Sequence, residues 1–218
     1  LSQSALAQSR DEAEPNIAVP ATSTHYVSSE VPDRIVATPA QNPATGFAVN
    51  WRTNAAVNAR MLEIVVAGDS PDVGTPRKIV AKTSVPAYRD GGVAHVHRAD
   101  IDGLQPDTLY MFRVQGANAW SGWRQLRTAA AAGVPLTLLY FGDTQNKNVS
   151  HVGRMMREAM RHAPDARVAL LAGDLQSETN IDIEWGEMFE AMGDLPATML
   201  VAPAAGNHEY WEEFEDTP

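Results

Sequence analysis

The stretch that decides the fold reads Pro135-Leu-Thr-Leu-Leu-Tyr-Phe-Gly-Asp143, and its logic recurs at Arg167-Val-Ala-Leu-Leu-Ala-Gly-Asp174 and at Thr198-Met-Leu-Val-Ala-Pro-Ala-Ala-Gly-Asn-His-Glu209. Each is an unbroken apolar run of strand length, followed within a few residues by a glycine and an oxygen-bearing side chain. Such runs read as buried-type strands. Between them, Ser150–His162 carries Val152, Met155, Met156, Ala159 and Met160 at helical spacing, with Arg154, Arg157 and Arg161 opposite. A second helix is expected over Ile181–Met192, with Ile181, Trp185, Met188, Phe189 and Met192 as its stripe. The order βαβαβ predicts a parallel sheet with right-handed crossovers.

In such sheets the site lies beyond the carboxyl ends of the strands, so Asp143, Asp174 and Asn207 are expected to converge there. The preceding glycines permit sharp turns and close backbone approach. One Gly-Asp after a strand is an ordinary turn or cap. Three in register, the last within Asn207-His208-Glu209, are hard to explain as turns.

Working outward, Ala129–Gly133 reads as a small-residue hinge, and before it the period changes. From Val31 to Thr128 short β-type runs alternate with turn residues. Strands are expected at Arg34–Thr38, Gly46–Thr53, Ala59–Ala67, Arg77–Thr83, Val93–Ile101, Leu109–Gly116 and Arg124–Thr128, the number that suits a two-sheet sandwich. Leu104-Gln-Pro-Asp-Thr-Leu-Tyr110 resembles the tyrosine corner of fibronectin type III domains, and Trp51 suits a core aromatic. His95 and His97 share a strand face; a structural role outweighs a metal-binding one. Trp120 and Trp123 flank a Ser-Gly turn, and packing against the neighbouring domain outweighs a ligand-binding ledge.

Of the 218 residues 44% are hydrophobic and 20% charged, enough for two modest cores. With no cysteine, disulfide scaffolds, thiolate metal sites and cysteine nucleophiles are excluded. No stretch reaches the roughly 18 apolar residues of a membrane span. The net charge of −10 falls entirely in residues 130–218, which disfavours nucleic acid and anionic membranes and favours cations. Most of that acid is expected to keep a surface soluble. Ala5-Leu6-Ala7 looks like the end of an export leader, implying a secreted or periplasmic protein, and Asp11–Ser29 reads as a polar, disordered arm. The segment from Trp211 to Pro218 completes no obvious element.

Gly142-Asp143, Gly173-Asp174 and Gly206-Asn207-His208-Glu209 resemble the first three motifs of the calcineurin-like metallophosphoesterases. The preceding sandwich with Trp120-Ser-Gly-Trp123 resembles the N-terminal domain of purple acid phosphatases. The resemblance implies a multidomain chain: a leader remnant and arm (1–29), a fibronectin type III-like sandwich (30–128), a linker (129–134) and the N-terminal part of an α/β metallophosphoesterase domain (135–218). It further implies a phosphoric ester hydrolase with two divalent or trivalent metal ions of Fe, Zn or Mn. Asp143 would bind one, Asp174 would bridge both, and the side-chain oxygen of Asn207 would bind the second. The ions, about 3.5–4 Å apart, would polarise a phosphoryl group and generate a hydroxide nucleophile. His208 would face the phosphate ester, stabilising the transition state or protonating the leaving oxygen.

Two positions depart from that pattern. Where many relatives have His two residues after the first Asp, this chain has Gln145, a neutral donor; where purple enzymes have Tyr three residues after the second Asp, it has Ser177. Without that phenolate no purple colour is expected. His25, His95, His97, His151 and His162 do not stand where later metal ligands should, and three oxygen donors hold two metals weakly. The chain by itself is therefore expected to bind metal weakly and turn over little. The alternative is an adhesion or glycan-binding sandwich with an inactive α/β remnant. Neither a Gly-x-Ser-x-Gly elbow nor a phosphate loop supports a serine hydrolase or nucleotide binder.

Overall fold

The short runs of residues 33–127 fold into two antiparallel four-stranded sheets. The structure, a computed structural model, describes residues 18–19, 23–54, 60–88, 93–131 and 133–210. The strands are β1 (Asp33–Pro39), β2 (Phe47–Thr53), β3 (Met61–Val66), β4 (Arg77–Val80), β5 (Lys82–Ser84), β6 (His95–Ile101), β7 (Leu109–Val114) and β8 (Arg124–Arg127). One sheet has the order β1-β2-β6-β5 and the other β4-β3-β7-β8. Phe47, Trp51, Leu62, Phe112 and Leu126 fill the space between them. The single strand expected over Arg77–Thr83 is two strands in different sheets. The chain crosses at buried Ala81, whose N–H donates to Arg60 O at 2.8 Å.

The tyrosine corner is formed: the Tyr110 hydroxyl accepts the Gln105 N–H at 2.9 Å, and Leu104 is buried. Trp51 is buried and donates its indole N–H to Gln115 O. His97 stacks on Trp51 at 5.2 Å and is fully buried, with Nε2 2.8 Å from Thr53 Oγ1 and Nδ1 2.8 Å from Thr83 Oγ1. Both nitrogens are thus committed to hydroxyls, which makes it a core histidine. Trp120 and Trp123 flank the Arg113 guanidinium, 4.7 and 4.6 Å from the ring centroids, while Glu63 pairs with its nitrogens. Their apolar area serves a cation on their own sheet.

Downstream, β9 (Leu138–Phe141), β10 (Val168–Ala172) and β11 (Leu200–Ala204) form a parallel sheet in the order β11-β10-β9. The crossovers are α1 (Gly153–His162), entered through a π-helical turn at Asn148–Val152, and α2 (Asp182–Met192). A short α3 (Leu195–Thr198), not anticipated from sequence, buries Leu195 before β11. Leu139, Phe141, Met156, Leu171, Met188 and Leu195 share a second core. The two cores interlock, since Leu200 of β11 joins the sandwich cluster and Val36 of β1 packs on the second. Of the expected stripe on α1, Met156 is fully buried and Met155 is 45% exposed.

Not all the excess acid is solvated. Asp182, Glu184 and Glu187 are buried on α2, each on named donors. Asp182 Oδ1 accepts from Arg34 at 2.6 Å and its Oδ2 from Arg52 at 2.8 Å, while Asp33 accepts from Arg52 Nε and Nη2 and Tyr26 O takes a further Nη2 hydrogen at 2.8 Å. Burial works against the Arg52 charge, and the Asp33 and Asp182 carboxylates outweigh it, holding its pKa above the ordinary guanidinium value. Glu187 Oε1 accepts the N–H groups of Ala18 and Val19, and the Tyr26 hydroxyl donates to Glu190. Tyr26 can pack closely on α2 because residue 186 is glycine: a Cβ there would stand 2.3 Å from Tyr26 Cγ. Residues 18–19 and 23–29, read from sequence as arm, thus include a strap over α2.

Removing Asp182 leaves two guanidinium groups buried with fewer acceptors, which costs about 3 kcal/mol. Asp182→Ala should show that loss in urea unfolding, and an unchanged midpoint would contradict the clamp. Burial, aided by His95 and Arg60, pushes the His97 pKa from 6.5 down to about 4. The unfolded chain therefore takes up the proton first, and stability present above pH 6.5 is lost as the pH falls toward 4. A loss of about 3 kcal/mol across that window, absent in His97→Leu, is the expected result; parallel pH curves would refute it.

Candidate functional site

Glycine and the register of the parallel sheet bring the three strand ends together. Phe141 pairs with Leu171 and Leu171 with Pro203, so the turns after β9, β10 and β11 leave the sheet at one level. Gly142 lies beside Ala172, and Asp143 N–H points at Gly173 O at 3.3 Å. A Cβ on Gly173 would stand 2.5 Å from Gly206 N, and one on Gly206 would stand 2.2 Å from Asp174 Oδ1. Only glycine at both positions lets the second and third loops abut.

Asp143 and Asp174 share an unusual backbone, left-handed at φ 53° and 51°. A non-glycine residue adopts this region at a cost and keeps it where its surroundings hold it. For Asp174 the holding groups are visible. Its N–H donates to Glu209 Oε2 at 2.8 Å, and its Oδ1 accepts the His208 N–H at 2.9 Å. Glu209 also accepts the Leu175 N–H at 2.8 Å and the Gly206 N–H at 2.6 Å. One carboxylate thus ties the loop after β10 to the loop after β11. Asp143 and Asn207 are exposed, while Asp174 and His208 are half-buried.

The His208 ring has a defined direction. Its Nδ1 lies 2.8 Å from Ser177 O, and a carbonyl only accepts, so Nδ1 carries the hydrogen and Nε2 is the nitrogen left for a ligand. Ser177 belongs to a loop that Glu184 holds by accepting the Glu178 N–H at 2.9 Å and the Ser177 N–H. Trp185 anchors the same loop by donating to Thr179 O at 2.8 Å.

Candidate metal donors are the carboxylates of Asp143 and Asp174, the latter with one oxygen already accepting from His208, and the amide oxygen of Asn207. Gln145 Oε1 is buried and takes no hydrogen bond, so this neutral oxygen joins the candidates. Gln176 is fully buried nearby in sequence with neither amide atom paired. Among the described residues no group of three or more His, Asp or Glu could hold a metal ion. The donor set is oxygen-only and suits hard cations, as part of a coordination shell.

Sequence reasoning quoted Glu209 without a role and passed over Glu184. A carboxylate that takes three backbone N–H groups from two loops cannot be read from spacing, although a Glu reaching back to the N–H three residues earlier is one half of a capping box. Glu209→Ala should leave the N–H groups of Asp174, Leu175 and Gly206 without their acceptor, costing about 2 kcal/mol. Hydrogen exchange is the check: faster exchange at these three amides is expected, and unchanged protection would refute the tie.

Residues 32–128 match the family described as "Purple acid Phosphatase, N-terminal domain". Among solved structures, a purple acid phosphatase from yellow lupin (Lupinus luteus) seeds aligns with a TM-score of 0.67 at 17% identity, covering 84% of this chain and 37% of that one. A structure of PhoD aligns with a TM-score of 0.54 at 13% identity, covering 89% and 40%. The chain therefore spans well under half the length of either. No curated protein matches it in sequence. Residues 32–128 are thus similar to the purple acid phosphatase N-terminal domain family, and over most of its length the chain shares the fold of the purple acid phosphatase and of PhoD.

Proposed function

We propose that the protein is a phosphoric ester hydrolase working with two metal ions, and that this chain supplies part of the site. The observation that supports this most is the tie between loops: Asp174 Oδ1 accepts the His208 N–H, and Glu209 binds the backbone of both loops. In this reading Asp143, Asp174 and Asn207 would hold the ions, with Gln145 Oε1 as a further candidate donor. Bound ions of Fe, Zn or Mn would polarise the phosphoryl group and offset the repulsion between an anionic ester and an acidic rim.

The chain's own residues do the rest. Asp174 orients the backbone of His208, and Ser177 O turns its ring so that Nε2 can hold a proton for the leaving oxygen. A sandwich (30–128), a linker (129–134) and an α/β domain from residue 135 form the proposed division. No helix among the described residues is long and apolar enough to cross a membrane, and export is proposed from Ala5-Leu6-Ala7.

In the full-length protein, Asp174→Ala should remove metal and hydrolysis of p-nitrophenyl phosphate and its bis ester together. His208→Ala should keep the metal and lower the rate by roughly 10²-fold or more. Metal analysis beside the two assays reads both. A metal-free, inert full-length wild type would overturn the reading in favour of an adhesion or glycan-binding sandwich, and wild-type rates in either variant would overturn the assigned role.

A further inference from the structure

α2 begins with three anchoring residues within its first turn. Asp182 binds Arg34 and Arg52 of the sandwich. Glu184, 7% exposed, takes two N–H groups of the preceding loop, those of Ser177 and Glu178. Trp185 donates to the carbonyl of Thr179 in that loop. The peptide groups on either side of Ser177 therefore have opposite jobs. Its N–H is held by the Glu184 carboxylate, and its carbonyl holds the hydrogen on His208 Nδ1.

We propose that Glu184 is a positioning residue for His208: by fixing the Ser177 backbone it holds the neutral imidazole as the Nδ1–H tautomer, so that a proton taken up by the ring goes to Nε2, the nitrogen that faces the substrate. This rests on the reading of His208 as the group facing the ester, and it assigns part of that task to a residue on another element. A carboxylate so deeply buried loses hydration, and the backbone N–H groups return only part of it. Burial accordingly pushes the Glu184 pKa up, with those N–H groups pulling the other way. A carboxylate accepts at either oxygen, whereas a glutamine in the same place keeps one acceptor oxygen and brings an N–H₂ that only donates. The Ser177 hydroxyl has no part in this arrangement, because both contacts are made by its backbone.

The test uses ¹⁵N-labelled chain in buffer alkaline enough to keep the ring neutral, with two-bond ¹H–¹⁵N correlation spectra of the histidines assigned by His208→Gln. The wild type should show His208 with a protonated Nδ1 and a bare Nε2. Glu184→Gln and Glu184→Ala should move both nitrogen shifts toward the average of a tautomer mixture while the Trp51 indole signal keeps its position. Ser177→Ala should leave the tautomer as it is. A protonated Nε2 in the wild type, an unchanged ring in both Glu184 variants, or a mixed ring in Ser177→Ala would overturn the proposal. Should Glu184→Ala fail to fold, Glu184→Gln, which is nearly isosteric, carries the test alone. In full-length enzyme Glu184→Gln should lower kcat roughly 10-fold with KM and metal content unchanged. Absence of hydrolysis by wild-type enzyme speaks against the phosphoesterase reading, whereas the tautomer, measured on the chain without metal or substrate, speaks to Glu184 alone.

Discussion

The Glu209 carboxylate is the constraint on which the rest of the site depends. It accepts the N–H groups of Asp174, Leu175 and Gly206, so two turns that the sheet merely places side by side become one unit. Asp174 adds the reciprocal contact by accepting the His208 N–H. The left-handed backbone of Asp174 is sustained by these bonds, and glycine at 173 and 206 gives the turns room to touch. Remove the carboxylate and three N–H groups lose an acceptor in a half-buried setting, where unpaired donors cost most.

A second set of buried acids joins this rim to the sandwich. Asp182, Glu184 and Glu187 are spaced along α2 so that one meets arginines of the sandwich, one meets the loop bearing Ser177, and one meets the backbone at residues 18–19. The interlocked cores, with Leu200 on one side and Val36 on the other, supply the apolar part of the same junction. The sandwich is thereby a mechanical support for α2, and through α2 and Ser177 O for the orientation of the His208 ring.

Much of this architecture was legible in the sequence because it rests on period and spacing. Unbroken apolar runs at 135–141, 167–172 and 198–202 announced the parallel sheet, and the Leu104–Tyr110 spacing announced the corner that Tyr110 now makes with Gln105. What was hidden depends on partners distant in the chain. Alternation over residues 77–83 gives no sign of which sheet each half joins, so the crossing at Ala81 was invisible. The acids of α2 read as solvated charge because Arg34 and Arg52 lie some 130 to 148 residues away. Of the candidate site, the loop-end glycines and the candidates Asp143, Asp174, Asn207 and His208 could be proposed from spacing and the family resemblance. The carboxylates of Glu209 and Glu184 act on backbone N–H groups, which leave no mark on residue type.

The central claim is that the turns after β9, β10 and β11 form one rim where cations sit. Manganese(II) titration of the ¹⁵N-labelled chain tests it most directly, since the paramagnetic ion broadens amides around its binding place even when binding is weak. The account predicts that amides of residues 142–145, 173–176 and 206–209 broaden together at the lowest concentrations. Broadening confined to one turn, or beginning at acids elsewhere on the surface while these three stay sharp, would contradict it.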